Sequence, residues 1–415
     1  MSIIATISSS GPVKPDAPTI GTATAGNASA SVTFTAPTFT GRSAITSYTV
    51  TSSPGSLTGT GASSPITVSG LTNGTAYTFT VTATNAAGLT SAASAASNSV
   101  TPVVPLVVTG GTLTSDATYY YRVFTANGTL GISGGTLTFD YLLIGGGGGG
   151  GRYFSGFQGV TCSYVVSPGG GGGAGGLVYN SSQTSSSNIG VTIGAGATGN
   201  NGTPVQGNGS FFLVQACGGG RAGAGILTTS VCGGSGGSGG GGGANAGGEN
   251  NTGALGTGTQ NFNGGSGGTA ASPDYRAAGG GGGGSGATGG NGVTTAPLRG
   301  GNGGNGTNSY SSILSAISSV MCANWQSATS SGRIAGGGAG GYGGLSASWT
   351  EATGGAGGGA SSVQNAQPSA AIINTGSGGA SGSRRNNQLT CALYTGGSGA
   401  SGILIVRYTR SQVGG

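Results

Sequence analysis

Glycine placement constrains this chain more than any other feature. Of the 100 glycines, 84 fall between Gly145 and Gly415. They run in tracts at 145–151, 169–176, 218–225, 233–248, 279–292, 300–306, 336–344, 354–360 and 376–382. At roughly 31% of that region, glycine approaches the one-third of collagen-like chains. There is no sustained Gly-X-Y period, however, and only five prolines lie there, so a collagen triple helix is excluded. A flexible linker is the other composition of this kind. Apolar strand-like segments and bulky aromatics recur between the tracts, and a linker has no use for either. Ordering so much glycine is entropically costly, and every backbone N–H must find an acceptor. The pattern predicts extended helices of three residues per turn, lying side by side and bonding to one another. Their relative is polyproline II, which rises about 3.1 Å per residue and has no internal hydrogen bonds. A ten-residue tract would then span roughly 30 Å, enough to carry the chain from one end of a domain to the other.

Before the tracts the pattern changes to period two, and the fold class predicted is all-β. Residues 1–14 read as an N-terminal arm. Residues 15–102 read as a small β-sandwich, with short alternating segments between turn residues. Val32 and Phe34, then Tyr48 and Val50, alternate with polar residues. Tyr77, Phe79, Val81 and Ala83 fall on one face of a strand that follows an Asn73-Gly74 turn. Leu71, Gly74 and Tyr77 have the arrangement of a tyrosine corner, in which a buried ring bonds nearby backbone through its hydroxyl. Residues 103–144 predict two or three strands, with turns at Asn127-Gly128 and Gly134-Gly135. The run Tyr141–Ile144 is expected to pair with Ile403–Tyr408, so that a strand at 403–409 closes a glycine-rich domain of residues 145–415. Val191, Ile193 and the run from Phe211 to Val214 are expected to add strands.

The remaining bulk properties exclude several functions. The net charge is +6, from 12 basic and 6 acidic residues. The basic residues are scattered, and only Arg384 and Arg385 adjoin, so no stripe for nucleic acid is visible. Five cysteines show no C-x-x-C spacing and there is no histidine, which speaks against a metal site. The odd cysteine count fits free thiols in a reducing cytosol, and one or two loop-tying disulfides remain compatible. Residues 1–13 lack the features of a secretory signal, and no stretch reaches the length of a membrane helix. The six acids are Asp16, Asp116, Asp140, Glu249, Asp274 and Glu351. Without a nucleophile motif they make a poor catalytic set, so a non-enzymatic protein with no cofactor is expected. The G-x-G-x-x-G matches are meaningless in this background.

The inserts between tracts have a composition of their own. Residues 152–167 carry Tyr153, Phe154, Phe157 and Tyr164, and residues 270–278 carry Tyr275 and Arg276. Residues 307–335 carry Tyr310 and Trp325, and SILSAISSVMCANW predicts a single helix of about three turns. Trp349 lies in 345–352; Arg384, Arg385 and Tyr394 lie in 383–395. Tyr, Trp, Arg, Ser, Gly and Asn also make up antibody combining loops, and interface hot spots favour Trp, Tyr and Arg. These twelve residues are the candidate receptor contacts. The competing role for each aromatic is to plug the glycine bundle.

Two family resemblances follow from quoted residues. GLTNGTAYTFTVTATNAAG, within residues 15–102, resembles a fibronectin type III module, with Phe34 where such modules usually carry Trp. YRVFTANGTLGISGGTLTFDYLLIGGGGGGG, VTIGAGATGNNG and GGSGASGILIVRYTR resemble the glycine-rich domain of phage and prophage tail proteins, over about residues 107–410. The alternation of tracts and inserts is similar to the tip adhesins of T-even-like phages, in which polyglycine helices display loops that choose the host receptor. The resemblance implies a virion component, made in the host cytoplasm and located in a tail or surface appendage. Its partners would be other virion proteins and a host surface polysaccharide or outer-membrane protein, without nucleic acid or membrane insertion. Symmetric assembly, a trimer for example, is the common habit of tail proteins. A purely structural virion role, as capsid decoration, neck or baseplate spacer, is the alternative.

Overall fold

The computed structural model describes residues 11–158, 163–199, 205–223, 237–244, 262–269, 277–295, 297–344, 350–385 and 392–413. The chain divides into two compact units, Met1–Val107 and Val108–Gly415.

The first unit is a β-sandwich of β1 (Thr19–Gly26), β2 (Ser29–Thr35), β3 (Ile45–Ser53), β4 (Thr58–Gly61), β5 (Ile66–Ser69) and β6 (Thr78–Asn85). The sheets run β1-β2-β5 and β4-β3-β6. Period-two alternation does what it predicts: Val32, Phe34, Tyr48, Val50, Phe79, Val81 and Ala83 all enter one core. The tyrosine corner forms, with the Thr72 N–H donating to the Tyr77 hydroxyl at 3.1 Å. Gly74 holds a φ of +83°, which a side chain would strain. The partner of β6 is an irregular segment with a serine at every third position. Ser91, Ser94 and Ser97 donate their N–H groups to the carbonyls of Ala83, Val81 and Phe79. Their hydroxyls accept the N–H groups of the same three residues. Three residues therefore oppose two along β6, a bulge at every repeat.

The second unit shuttles between two ends. Its basal end opens with β7 (Val107–Thr109), β8 (Thr112–Ser115), β9 (Tyr119–Phe124), β10 (Gly128–Ser133) and β11 (Leu137–Ile144). These are five strands where the sequence suggested two or three, because the short segments around Gly110-Gly111 pair as well. Tract 145–151 then leaves β11 for the distal end. There β12 (Tyr153–Gln158) and β13 (Ser163–Ser167) form a hairpin. Tract 169–176 returns to the basal strand β14 (Leu177–Ser185) and to β15 (Ile189–Val191). Another excursion and return leads to β16 (Ser210–Phe211) and β17 (Gln215–Ala216). Here the expected Phe211–Val214 strand is corrected: Phe212 to Val214 form the turn of a two-residue-per-arm hairpin, and Phe212 buries itself against Tyr141 at 5.0 Å between ring centroids.

Further outward runs reach β18 (Gly268–Thr269) and β19 (Ala277–Ala278), again distal. The basal insert carries α1 (Ser311–Ile317) and α2 (Ala323–Thr329). Distal β20 (Tyr342–Gly344), β21 (Arg384–Arg385) and β22 (Ala392–Tyr394) follow, and β23 (Ile403–Thr409) returns to the base. The basal sheet runs β14-β11-β23-β9-β8. As expected, the two apolar runs pair, Leu143 opposite Leu404 and Ile144 opposite Ile403.

The tracts between the ends form the predicted bundle. Gly145, Gly148 and Gly151 donate to Gly176, Gly173 and Gly170. Gly146 and Gly149 donate to Asn208 and Val205, and Gly147 and Gly150 to Ala400 and Gly397. Every third N–H thus faces the same neighbour, the signature of three residues per turn. The carbonyls of 146, 147, 148 and 149 accept from Gly219, Ala197, Gly379 and Ala222. Tract 145–151 therefore has six neighbours, three to which it donates and three from which it accepts. Tract 169–176 likewise bonds to six others, among them 217–223, 279–285, 336–341 and 376–382. Seven residues at this rise cover about 22 Å. Glycine is required because the backbones touch: a Cβ on Gly148 would collide with the Gly220 carbonyl, and one on Gly172 with the Gly148 carbonyl. Methyl groups fit at particular positions, as in the buried cluster of Ala339, Ala352, Ala360, Ala371, Ala380 and Ala400.

Candidate functional site

The twelve candidate residues separate by end. Tyr153, Phe154 and Phe157 start in the distal strand β12, and Tyr164 lies in β13. Tyr394 in β22 is the register partner of Tyr153. Arg384 and Arg385 form β21, which runs parallel to β20 in the second distal sheet, ordered β18-β19-β20-β21. Tyr275, Arg276 and Trp349 lie outside the described residues, but Ala277 and Gly344, their described neighbours, belong to that same sheet. The described chain on both sides of 159–162, 270–276, 345–349 and 386–391 is distal. Antiparallel returns along a fixed bundle thus gather segments that are more than 200 residues apart in sequence.

Tyr310 and Trp325 are elsewhere. They belong to the basal insert, and Trp325 is corrected from a contact candidate to a core residue. It is fully buried among Ile313, Leu314, Ile317, Ile334 and Ile403, and its indole N–H donates to the Asn374 carbonyl at 3.1 Å. The single helix expected there is also two short helices. Ser318–Val320 tightens into a 3-10 turn, and Met321 and Cys322 are extended, with ψ of 154° and 158°. Ser318 and Ser319 favour helix weakly, and the break lets Trp325 turn inward. Tyr310 is half-buried and lies 5.1 Å from the Tyr179 ring, measured between centroids; burial pushes its hydroxyl pKa upward.

Tyr153 needs a similar correction. It is fully buried, 5.7 Å from the Tyr394 ring between centroids, and closes the distal mouth of the bundle. Tyr342 is buried at the same end, and burial, aided by the charge of Glu351, raises its pKa. Tyr394 is half-buried.

Two of the described acids, Asp116 and Asp140, occupy structural positions. Asp116 accepts the Tyr121 hydroxyl at 2.7 Å and the N–H groups of Thr118 and Tyr119. The Tyr121 bond, followed by the backbone bonds, holds its carboxyl below the ordinary value. Asp140 pairs with its cross-strand neighbour Arg407 at 2.8 Å and accepts the Ser182 N–H. Glu351 is distal and exposed, and Glu249 and Asp274 lie outside the described residues. Among the described residues no cluster of three metal-ligating side chains occurs, Cys217 and Cys322 are free and exposed, and no helix is long and apolar enough to cross a membrane.

Sequence reasoning missed one recurrent device, an asparagine clasp. Gly303 donates to the Thr353 carbonyl, and the Thr353 N–H returns to Asn302 Oδ1 at 3.1 Å. Gly306, Ala356 and Asn305 repeat it three residues on, at 3.0 Å, as do Gly292, Ser266 and Asn291, at 2.8 Å. The side-chain carbonyl supplies the acceptor that the backbone of the neighbouring tract does not. Its signal was legible as Asn-Gly at a spacing of three in GNGGNG.

Residues 123–409 match the family model of the glycine-rich domain. The chain belongs to this glycine-rich domain family. Ahead of the glycine-rich domain, residues 16–100 match the fibronectin type III domain, in agreement with the sandwich and its tyrosine corner. No curated protein matches the chain. Among solved structures, titin domains A168–A170 are similar at 28% identity over 22% of this chain and 32% of theirs, with a TM-score of 0.20. Chicken CNTN1 FN1–FN3 domains share 17% identity over 44% of this chain and 61% of theirs, at 0.20. Chitinase ChiA74 from Bacillus thuringiensis shares 19% over 42% and 26%, at 0.17. The chain spans less than two thirds of each of these structures, and at such scores the likeness bears on neither fold nor function.

Proposed function

We propose that the chain is a non-enzymatic bacteriophage tail-fibre or adhesin component that presents its distal end to a host-cell surface. The observation that carries this reading is the sorting of the inserts. The ten candidates that are not in the basal insert, with Tyr153 among them as a buried support, lie in distal strands or in stretches flanked by described distal chain. A bundle of interlocked backbones is a stiff mount, and binding residues tend to sit on loops held by such scaffolds. The resemblance of the opening and closing strands to phage tail glycine-rich domains supplies the virion context. The fibronectin type III module then serves as a spacer or docking unit.

The test is adsorption competition. Purified full-length chain is added to host cells before the phage that encodes it. Dose-dependent blocking, weakened by Tyr394→Ala or Trp349→Ala in chains that still fold, is expected. A folded chain that binds no cells sinks the adhesin reading and favours the structural virion spacer.

A further inference from the structure

Asn-Gly pairs recur along this chain, and the fold treats them unequally. The pair is prone to spontaneous ring closure, because glycine has no side chain to hinder its own amide nitrogen from attacking the asparagine carboxamide. Two groups must be free for this: the glycine N–H, which has to lose its proton, and the carboxamide, which has to swing towards it. The clasps occupy both. Asn291, Asn302 and Asn305 each accept a backbone N–H through Oδ1. Gly292, Gly303 and Gly306 donate their N–H groups to Ser266, Thr353 and Ala356. In the first unit Asn73 Oδ1 accepts the Ala28 N–H at 2.9 Å, and Gly74 donates to the Pro102 carbonyl.

Asn208-Gly209, just before β16, has neither protection. Asn208 is exposed. Among the described residues, neither its carboxamide nor the Gly209 N–H has a hydrogen-bond partner. Main-chain anchoring does not separate the sites. The Asn208 carbonyl accepts from Gly146 at 2.9 Å, and those of Asn302 and Asn305 accept from Gly290 and Gly286. The sites differ in the two reacting groups.

We infer that Asn208 is a site of spontaneous deamidation, and that the asparagine clasps protect the pairs within the tracts from the same reaction. The Gly209 nitrogen bonds to Asn208 Cγ, the Cγ–Nδ2 bond breaks, and the amide leaves as ammonia with the proton that the glycine nitrogen gave up. Water then opens the five-membered ring. Opening at Cγ gives aspartate. Opening at the former main-chain carbonyl gives isoaspartate, in which the chain runs through Cβ and Cγ and is one carbon longer. That carbonyl is the one Gly146 bonds, and the Asn208 N–H donates to Ala195 at 3.0 Å. Isoaspartate therefore moves an acceptor out of the main chain in a lattice where backbones touch, and loosens the glycine-rich unit.

The experiment ages the full-length chain in mildly alkaline buffer and follows each Asn-Gly peptide by mass spectrometry, with the chain in urea as the unfolded reference. In the folded chain Asn208 should convert about tenfold faster than Asn291, Asn302 or Asn305, which must first open two hydrogen bonds. In urea the four should convert at similar rates. The unfolding temperature of the aged chain should fall as Asn208 converts, while an Asn208→Gln chain aged in parallel keeps its own. Conversion of Asn291 or Asn302 as fast as Asn208 in the folded chain would overturn the inference. So would an intact Asn208 when the same pairs convert in urea. Conversion at Asn208 without a change in unfolding temperature would overturn the loosening of the lattice.

Discussion

Gly148 donates its N–H to the Gly173 carbonyl at 2.9 Å, and Gly173 donates its own to Gly220 instead of returning the bond. This one-way handing-on distinguishes the glycine-rich unit from a β-sheet, where antiparallel partners exchange bonds. Tracts 145–151 and 169–176 each give to three neighbours and take from three others, through backbone groups alone.

A methyl group at such a position has nowhere to go. Gly148→Ala and Gly172→Ala are each expected to destabilise the glycine-rich unit by about 2–3 kcal/mol, because the added Cβ meets backbone and not a flexible side chain. Gly190→Ala is the control. Gly190 lies in β15 with nothing near its would-be Cβ, so it should be neutral or slightly stabilising. Urea denaturation of the three variants checks the contrast.

The clasps predict a smaller, additive effect. Asn302→Ala leaves the Thr353 N–H to water and is expected to cost about 1 kcal/mol. Asn302→Asp keeps an acceptor at that position and should cost less. The double variant Asn302→Ala/Asn305→Ala should approach twice the single loss, measured by thermal unfolding of the full chain.

Trp325 separates core from contact. Trp325→Ala should cost about 3–5 kcal/mol through the cavity it leaves, and Trp325→Phe should cost less. At temperatures where both variants remain folded, cell binding should match the parent. A binding loss in a folded Trp325→Phe chain would return this residue to the contact set.

Acid stability should carry a signature from Asp116. Its pKa is lowered from 3.8 in the folded chain, first by the Tyr121 hydroxyl. The folded state therefore binds that proton less readily than the unfolded chain does. The stabilisation is present above the ordinary carboxylate range and is lost as pH falls through the lowered value. Asp116→Asn should flatten this part of the pH profile, followed by thermal unfolding across the acidic range.

Much of the fold was legible. Alternation located Val32, Phe34, Tyr48, Val50 and the Tyr77–Ala83 face, because a half-buried strand repeats every two residues. The Tyr141–Ile144 and Ile403–Tyr408 runs found each other because they are long, apolar and bounded by glycine. Three residues per turn followed from asking where glycine N–H groups could bond. What sequence hid was direction and end. Whether Trp325 faces solvent depends on a break at Met321 and Cys322 that composition does not mark. The placing of Tyr153, Tyr394 and Arg384 in distal strands depends on which tracts run outward, which glycine repeats of similar length cannot encode. Period-three serines at 91, 94 and 97 and asparagines at 302 and 305 were visible, but their partners were not.

The claim beneath all of this is that the glycine tracts are ordered by hydrogen bonds to one another, and native-state hydrogen exchange tests it most directly. The amides of Gly145–Gly151 and Gly170–Gly176 should be protected to nearly the same degree as those of β11 and β23, since they can exchange only when the bundle opens. Exchange of these amides at the rate of an unstructured glycine linker, beside protected β11 and β23, would contradict the account.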